Sequence, residues 1–211
     1  MIGMETLYPS LPLTGKMDEV RLWNIARTES EIRENMHIPL VGTEAGLVSY
    51  WQMNELVNGE FLDIVNANNA ILEWESEMSA SDLPFGSGSS FSSTVTSGGS
   101  VDFTGTDLSL NFNSISAETD FTVTKLNVSP NINPIANEPF DEQYWIVHKY
   151  GAGTFDADLT VVLTENLDVN DENNPTQVKM FSRESTAATE WIYLLDATNI
   201  DAVQNTATFP G

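Results

Sequence analysis

Between residues 17 and 24, Val20 and Leu22 alternate with Glu19 and Arg21. That period of two predicts a half-buried strand. Trp23 falls on its opposite face, placed to cover an edge or the element that follows. Thr28-Glu29-Ser30-Glu31 reads as a capping box, with the Thr28 hydroxyl on one backbone N–H and Glu31 reaching back to another. Glu29 and Glu31 also suit the positive end of a helix dipole. A short helix is therefore expected, with Ile32 and Met36 one turn apart on one face and Pro39 beyond its end. A helix of this length is not stable alone, so the Ile32/Met36 face is expected to dock on a sheet built from 17–24 and 46–54.

Residues 46–54 put Leu47, Ser49, Trp51 and Met53 on one side and Val48, Tyr50 and Gln52 on the other. Both sides are largely apolar, the pattern of a buried strand. Asn58-Gly59 signals a turn, and 61–65 and 70–74 read as weaker strands around the Asn-rich turn 66–69. At 76–93 acidic and small residues give way to LPFGSGSSFSS, read as a linker and the opening of a new domain. Short strands follow at sandwich-like intervals: 92–96, 100–104, 108–113, 121–128, 144–149, 159–164, 177–182, 190–195 and 206–209. Ser97-Gly98-Gly99 is expected to join two of them as a hairpin, and Pro130, Pro134 and Pro139 mark 129–140 as a crossover between sheets. No helical periodicity shows in this half. The pattern divides the chain into 1–78 and 79–211 and makes it all-β with one short helix.

Charge adds the next constraint. There are 31 acidic and 8 basic residues in 211, a net charge of −23. The excess is spread through both halves. A field of this sign repels phosphate backbones and anionic lipid, so nucleic acid is not an expected partner. It suits a solubility surface in salty or extracellular surroundings, with divalent-cation binding as the sharper alternative. The absence of cysteine excludes disulfides, thiolate metal sites and a Cys nucleophile. No stretch approaches the ~20 apolar residues of a membrane span, and the first fifteen residues lack the basic start and apolar run of a signal peptide.

The segment GKMDEVRLWNIARTESEIRENM resembles the C-terminal end of laminin-G-like, concanavalin A-like jelly-roll domains. Gly15, Asp18, Glu19, Val20, Arg21, Trp23, Asn24, Ala26, Thr28, Glu31 and Ile32 carry the likeness, and Gly46-Leu47-Val48-Ser49-Tyr50-Trp51 with Asn54-Glu55 is similar to the strand that often follows. The likeness covers 15–74, the tail of a jelly roll. Residues 83–211 resemble an immunoglobulin- or fibronectin-like β-sandwich found near the C-terminus of large bacterial surface proteins. The cues are Leu83-Pro84-Phe85-Gly86, Val123-Thr124-Lys125-Leu126-Asn127-Val128 with Pro130-Asn131, Tyr144-Trp145-Ile146-Val147, Gly151-Ala152-Gly153-Thr154-Phe155, Asp158-Leu159-Thr160 and Thr206-Ala207-Thr208-Phe209. These resemblances imply a fragment of a larger secreted or cell-surface protein, its signal peptide and one further strand lying outside the chain.

Candidate chemistry is sparse. Glu60, Asp63 and Asn66 imitate a glucanase carboxylate strand, but alternation places Glu60 and Asp63 on opposite faces, and the third acid is an amide. His37 follows the helix and His148 shares a strand face with Tyr144, Ile146 and Tyr150; no Ser or Asp motif accompanies either, so packing roles are expected. Gly86-Ser87-Gly88 is a joint without the Lys of a phosphate loop. Asp168-Val169-Asn170-Asp171-Glu172-Asn173-Asn174 offers oxygen ligands suited to Ca²⁺ but lacks the Gly and distal Glu of an EF-hand loop. Trp51, Trp74, Trp145 and Trp191 are sugar-stacking residues by type, each on a strand pattern that also suits core packing. No catalytic, cofactor or metal residue is assigned, and Ca²⁺ is the one cofactor left open. The resemblances imply a non-catalytic accessory or adhesion region that binds a glycan or an extracellular protein, with a structural spacer in a large secreted polysaccharide-degrading enzyme as the alternative.

Overall fold

The computed structural model describes residues 15–72, 76–81, 83–134, 142–185, 188 and 190–211. The chain is predominantly β, with antiparallel sheets throughout. It falls into two compact units, one holding residues 15–26 and 40–81, the other 27–39 and 83–211.

In the first unit β1 (Val20–Trp23) pairs with β2 (Leu47–Trp51), and β3 (Glu60–Phe61) with β4 (Ala70–Ile71). As the two-sided apolar pattern predicts, β2 is buried along most of its length. Leu40, Leu47 and Tyr50 form a small core, and Trp23 and Val65 pack on it. Glu19, held at a positive φ of 53°, accepts from the Tyr50 hydroxyl and lies 3.5 Å from Arg21. Arg21 in turn covers the Tyr50 ring at 5.1 Å.

The second unit is a sandwich. One sheet runs β5 (Gly88–Val95), β8 (Thr119–Leu126), β9 (Tyr144–Tyr150). The other has β6 (Gly99–Phe103), β7 (Leu108–Ile115), β10 (Phe155–Val162), β13 (Asn199–Asp201) and β14 (Thr206–Phe209), in the order β13-β14-β10-β7-β6. Val95, Phe121 and Val123 from the first sheet meet Leu108, Leu110, Phe112, Val161, Ala207 and Phe209 from the second. Phe121, Phe112 and Phe155 contact one another with ring centres 5.1–5.8 Å apart. At one end of the core Lys125 pairs with Asp107, and the Trp145 indole donates to the Thr106 carbonyl at 2.7 Å, tying β8 and β9 to the turn between β6 and β7.

Two connections differ from expectation. Ser97-Gly98-Gly99 does not close a hairpin, because β5 and β6 lie in different sheets. The Pro-rich stretch after β8 does not cross over, because β8 and β9 are neighbours in one sheet. Close packing also fixes Gly88, where a Cβ would stand 1.9 Å from the Lys125 carbonyl oxygen of the paired strand.

The largest difference concerns α1 (Glu29–Asn35). Its capping box is present, with Thr28 Oγ1 accepting from Glu31 N and Glu31 accepting from Thr28 N. Yet it packs on β5 and β8 of the second unit, not on β1 and β2. The docked face is polar, and Ile32 remains 55% exposed. Arg33 lies 3.5 Å over the Tyr150 ring and 3.3 Å from Asp120. Glu34 Oε1 accepts from Ser92 N at 3.0 Å, closing a backbone donor on the edge strand β5. The reason lies in the sheet. Alternation sends Phe91, Val95, Phe121 and Val123 into the core and leaves hydroxyls on the outer face. There Ser90 meets Thr124 at 2.8 Å, Ser92 meets Thr122 at 2.9 Å, and Thr94 donates to Asp120 at 2.7 Å. A hydroxyl surface gains little from Ile32 but offers hydrogen-bonding partners to Arg33 and Glu34.

Two stability measurements follow. Phe121→Ala should cost about 3–5 kcal/mol in a urea titration, as a buried ring is lost from the sheet–sheet core. Arg33→Ala should cost about 1–3 kcal/mol, whereas Ile32→Ser should stay within about 0.5 kcal/mol. The opposite ranking of the two α1 variants would show that the helix docks through its apolar face.

Candidate functional site

Among the described residues, an exposed aromatic feature is the ribbon of β11 (Lys179–Ser182) and β12 (Ile192–Asp196), paired antiparallel outside both sandwich sheets. Val178, Met180 and Leu195 anchor it by packing against the core. Three other residues of β12 are exposed, Ile192 at 60%, Tyr193 at 48% and Leu194 at 46%. Phe181 meets Tyr193 edge-on at 5.8 Å. Asp196 Oδ1 accepts from the Tyr193 hydroxyl at 2.9 Å and from Lys179 Nζ at 2.8 Å, and Lys179 lies 5.7 Å from the Tyr193 ring centre. The Lys179 and then the Tyr193 hydrogen bond hold the Asp196 carboxyl below its ordinary range, so it is charged. The same Asp196 bond pushes the Tyr193 phenol up. At the ribbon's open end the Arg183 guanidinium lies 4.7 Å over Trp191, whose indole donates to the Ile132 carbonyl at 2.7 Å. The arrangement presents ring faces beside an ionised carboxylate and an ammonium, able to stack on an amphipathic ligand and hydrogen-bond to its polar groups.

The tryptophans singled out from sequence separate clearly. Trp51 is buried, with its indole donating to the Asn68 carbonyl at 2.9 Å. Trp145 is spent on Thr106 and the core. Trp191 belongs to the ribbon, and Trp74 lies outside the described residues. Phe181 and Tyr193 were not singled out. For Tyr193 the available signal is the run Trp191-Ile192-Tyr193-Leu194-Leu195, apolar on both faces of a strand; nothing in the sequence marks Phe181.

The remaining candidates have structural occupations. Asp63 is buried, and its Oδ1 accepts from Tyr50 N at 2.9 Å and Val65 N at 3.0 Å. Burial raises its pKa, but these backbone bonds outweigh that and leave it lowered. Glu60 accepts from Asn69 at 2.9 Å and Asn66 donates to the Val48 carbonyl at 2.6 Å, so this group organises the Asn-rich turn. The stretch 168–174, which offers oxygen ligands suited to Ca²⁺, contains α2 (Val169–Asn173), a second short helix that periodicity did not reveal. Asp168 caps it, accepting from Asn170 N at 2.7 Å and Asp171 N at 3.2 Å, and these bonds lower its pKa. Among the described residues no group of three or more His, Asp or Glu side chains is placed to hold a metal ion.

His37, just beyond α1, and His148 of β9, 111 positions apart, come together with ring centres 5.4 Å apart. His37 Nδ1 is 2.9 Å from the Pro84 carbonyl, and the Tyr150 hydroxyl is 3.3 Å from His148 Nδ1. Burial depresses both imidazoles below the ordinary 6.5.

Comparison of the chain with protein-family models, with curated proteins and with solved structures gave no match.

Because both folded-state values lie below the unfolded one, the unfolded chain binds more protons once the pH drops under about 6.5, and stability then falls with pH. The loss should level off below the folded values. Thermal unfolding between pH 7 and 5 should show this decline, and it should flatten in the His37→Gln/His148→Gln variant. An unchanged slope in that variant would assign the decline to carboxylates.

Proposed function

We propose that the chain is a non-catalytic recognition region of a secreted or cell-surface protein, and that the β11–β12 ribbon is its ligand-binding surface. The observation that carries this is the exposure of Tyr193, held edge-on against Phe181 beside the ionised Asp196 and Lys179. Core packing alone does not require that exposure. Rings next to hydrogen-bonding groups suit a sugar, which offers a C–H face and a hydroxyl rim. The net charge of −23 disfavours polyanions and directs the reading toward neutral glycans. The resemblance of 15–74 to laminin-G-like jelly rolls supports an extracellular setting and keeps a Ca²⁺ requirement open to test. Among the described residues no helix is long and apolar enough to cross a membrane.

A glycan array probed with and without Ca²⁺ is the direct experiment. Neutral polysaccharide binding should appear, and Tyr193→Ala should weaken it about tenfold, the equivalent of about 1.4 kcal/mol, with the fold intact by circular dichroism. Absence of binding to any glycan or matrix protein would favour the spacer role in a larger enzyme. Turnover of a polysaccharide by this chain would overturn the non-catalytic reading.

A further inference from the structure

We propose that His37 and His148 form a two-histidine site for a borderline divalent transition metal, with Zn²⁺, Ni²⁺ and Cu²⁺ as the ions it takes. The argument begins with the hydrogen on each ring. A carbonyl oxygen only accepts, so the 2.9 Å contact with Pro84 requires the proton of neutral His37 to sit on Nδ1. The lone pair is then on Nε2, and that atom is buried with no hydrogen-bond partner in the protein. His148 has its Nδ1 beside the Tyr150 hydroxyl at 3.3 Å, an oxygen that can accept as well as donate. When Tyr150 accepts, His148 too presents a bare Nε2. An imidazole whose Nδ1–H is fixed by an oxygen while Nε2 faces the metal is the usual arrangement of a histidine ligand.

The spacing agrees. Two imidazoles bound to one ion through nitrogens at about 2.0–2.1 Å, with a near-tetrahedral angle between them, have ring centres about 5 Å apart. The observed separation is 5.4 Å. Burial keeps both rings neutral at pH 7, the form that ligates. Imidazole pairs suit Zn²⁺, Ni²⁺ and Cu²⁺ over Ca²⁺ and Mg²⁺, which take oxygen. No third His, Asp or Glu completes the site among the described residues, so water fills the other positions and the ion is exchangeable. The charged groups of the surrounding elements are otherwise engaged. Glu29 and Arg33 pair on α1, Arg33 also meets Asp120 of β8, and Glu34 accepts from β5. A bound ion would join His37, two residues past α1, to β9, stapling the end of the helix to the sheet.

The test uses the full chain, titrated with NiCl₂ or ZnSO₄ by calorimetry in excess Mg²⁺, which occupies the many surface carboxylates. One ion per chain is expected, with affinity reduced about tenfold or more in His37→Ala and in His148→Ala. Because the chain holds only two histidines, ring ¹H–¹⁵N spectra of the unaltered protein give a readout independent of how the variants fold. Without metal His37 should show the Nδ1–H tautomer, and Zn²⁺ should shift the Nε2 signals of both rings. Undiminished affinity in the double variant, or ring nitrogens unmoved at saturating Zn²⁺, would overturn the site.

Discussion

The separation of β8 into two unlike faces is the constraint on which the second unit depends. Thr119–Leu126 is the central strand of its sheet, hydrogen-bonded to β5 and β9. Phe121 and Val123 leave one side and become the inner layer of the sandwich, fully shielded from solvent. Thr122 and Thr124 leave the other side and are almost as deeply covered, each satisfied by a serine of β5. A strand buried on both faces is ordinarily apolar on both. Here one face is apolar and the other is a hydroxyl ladder whose hydrogen bonds offset the cost of burial.

That ladder explains why α1 docks as it does. A polar helix face meets a polar sheet face through a guanidinium on a ring and a carboxylate on an edge N–H, and just beyond the helix His37 meets His148. The topological consequence is notable: the chain leaves the first unit after Ala26, contributes residues 27–39 to the second, and returns at Leu40. The strand and helix that read as one motif in sequence thus belong to different compact units. Glu19, Arg21 and Tyr50 hold the strand, while Arg33, Glu34 and His37 hold the helix.

The excess of acid shapes the surface without dictating the site. Much of the basic complement is spent on carboxylates: Arg21 on Glu19, Arg27 on Glu31, Arg33 on Glu29 and Asp120, Lys125 on Asp107, and Lys179 on Asp196. The exposed pairs contribute little to stability in water. Lys125 with Asp107 closes one end of the core, and Lys179 with Asp196 orients the ribbon beneath Tyr193.

The order of hydrogen-bonding and apolar residues was enough to indicate an all-β chain, the buried strand β2, the capping box at Thr28 and most sandwich strands, because these rest on local periodicity and capping geometry. Strand partners were not legible, since the same run serves a hairpin or a sheet-to-sheet connection; Ser97-Gly98-Gly99 proved the latter. Nor was the helix α2, too short for periodicity to register. The choice of helix face depended on a hydroxyl ladder about sixty to ninety positions away in sequence. Local pattern tells a residue which side it shares with its neighbours. Only the tertiary structure decided what lay opposite that side, and so placed His37 against His148 and left Tyr193 facing outward.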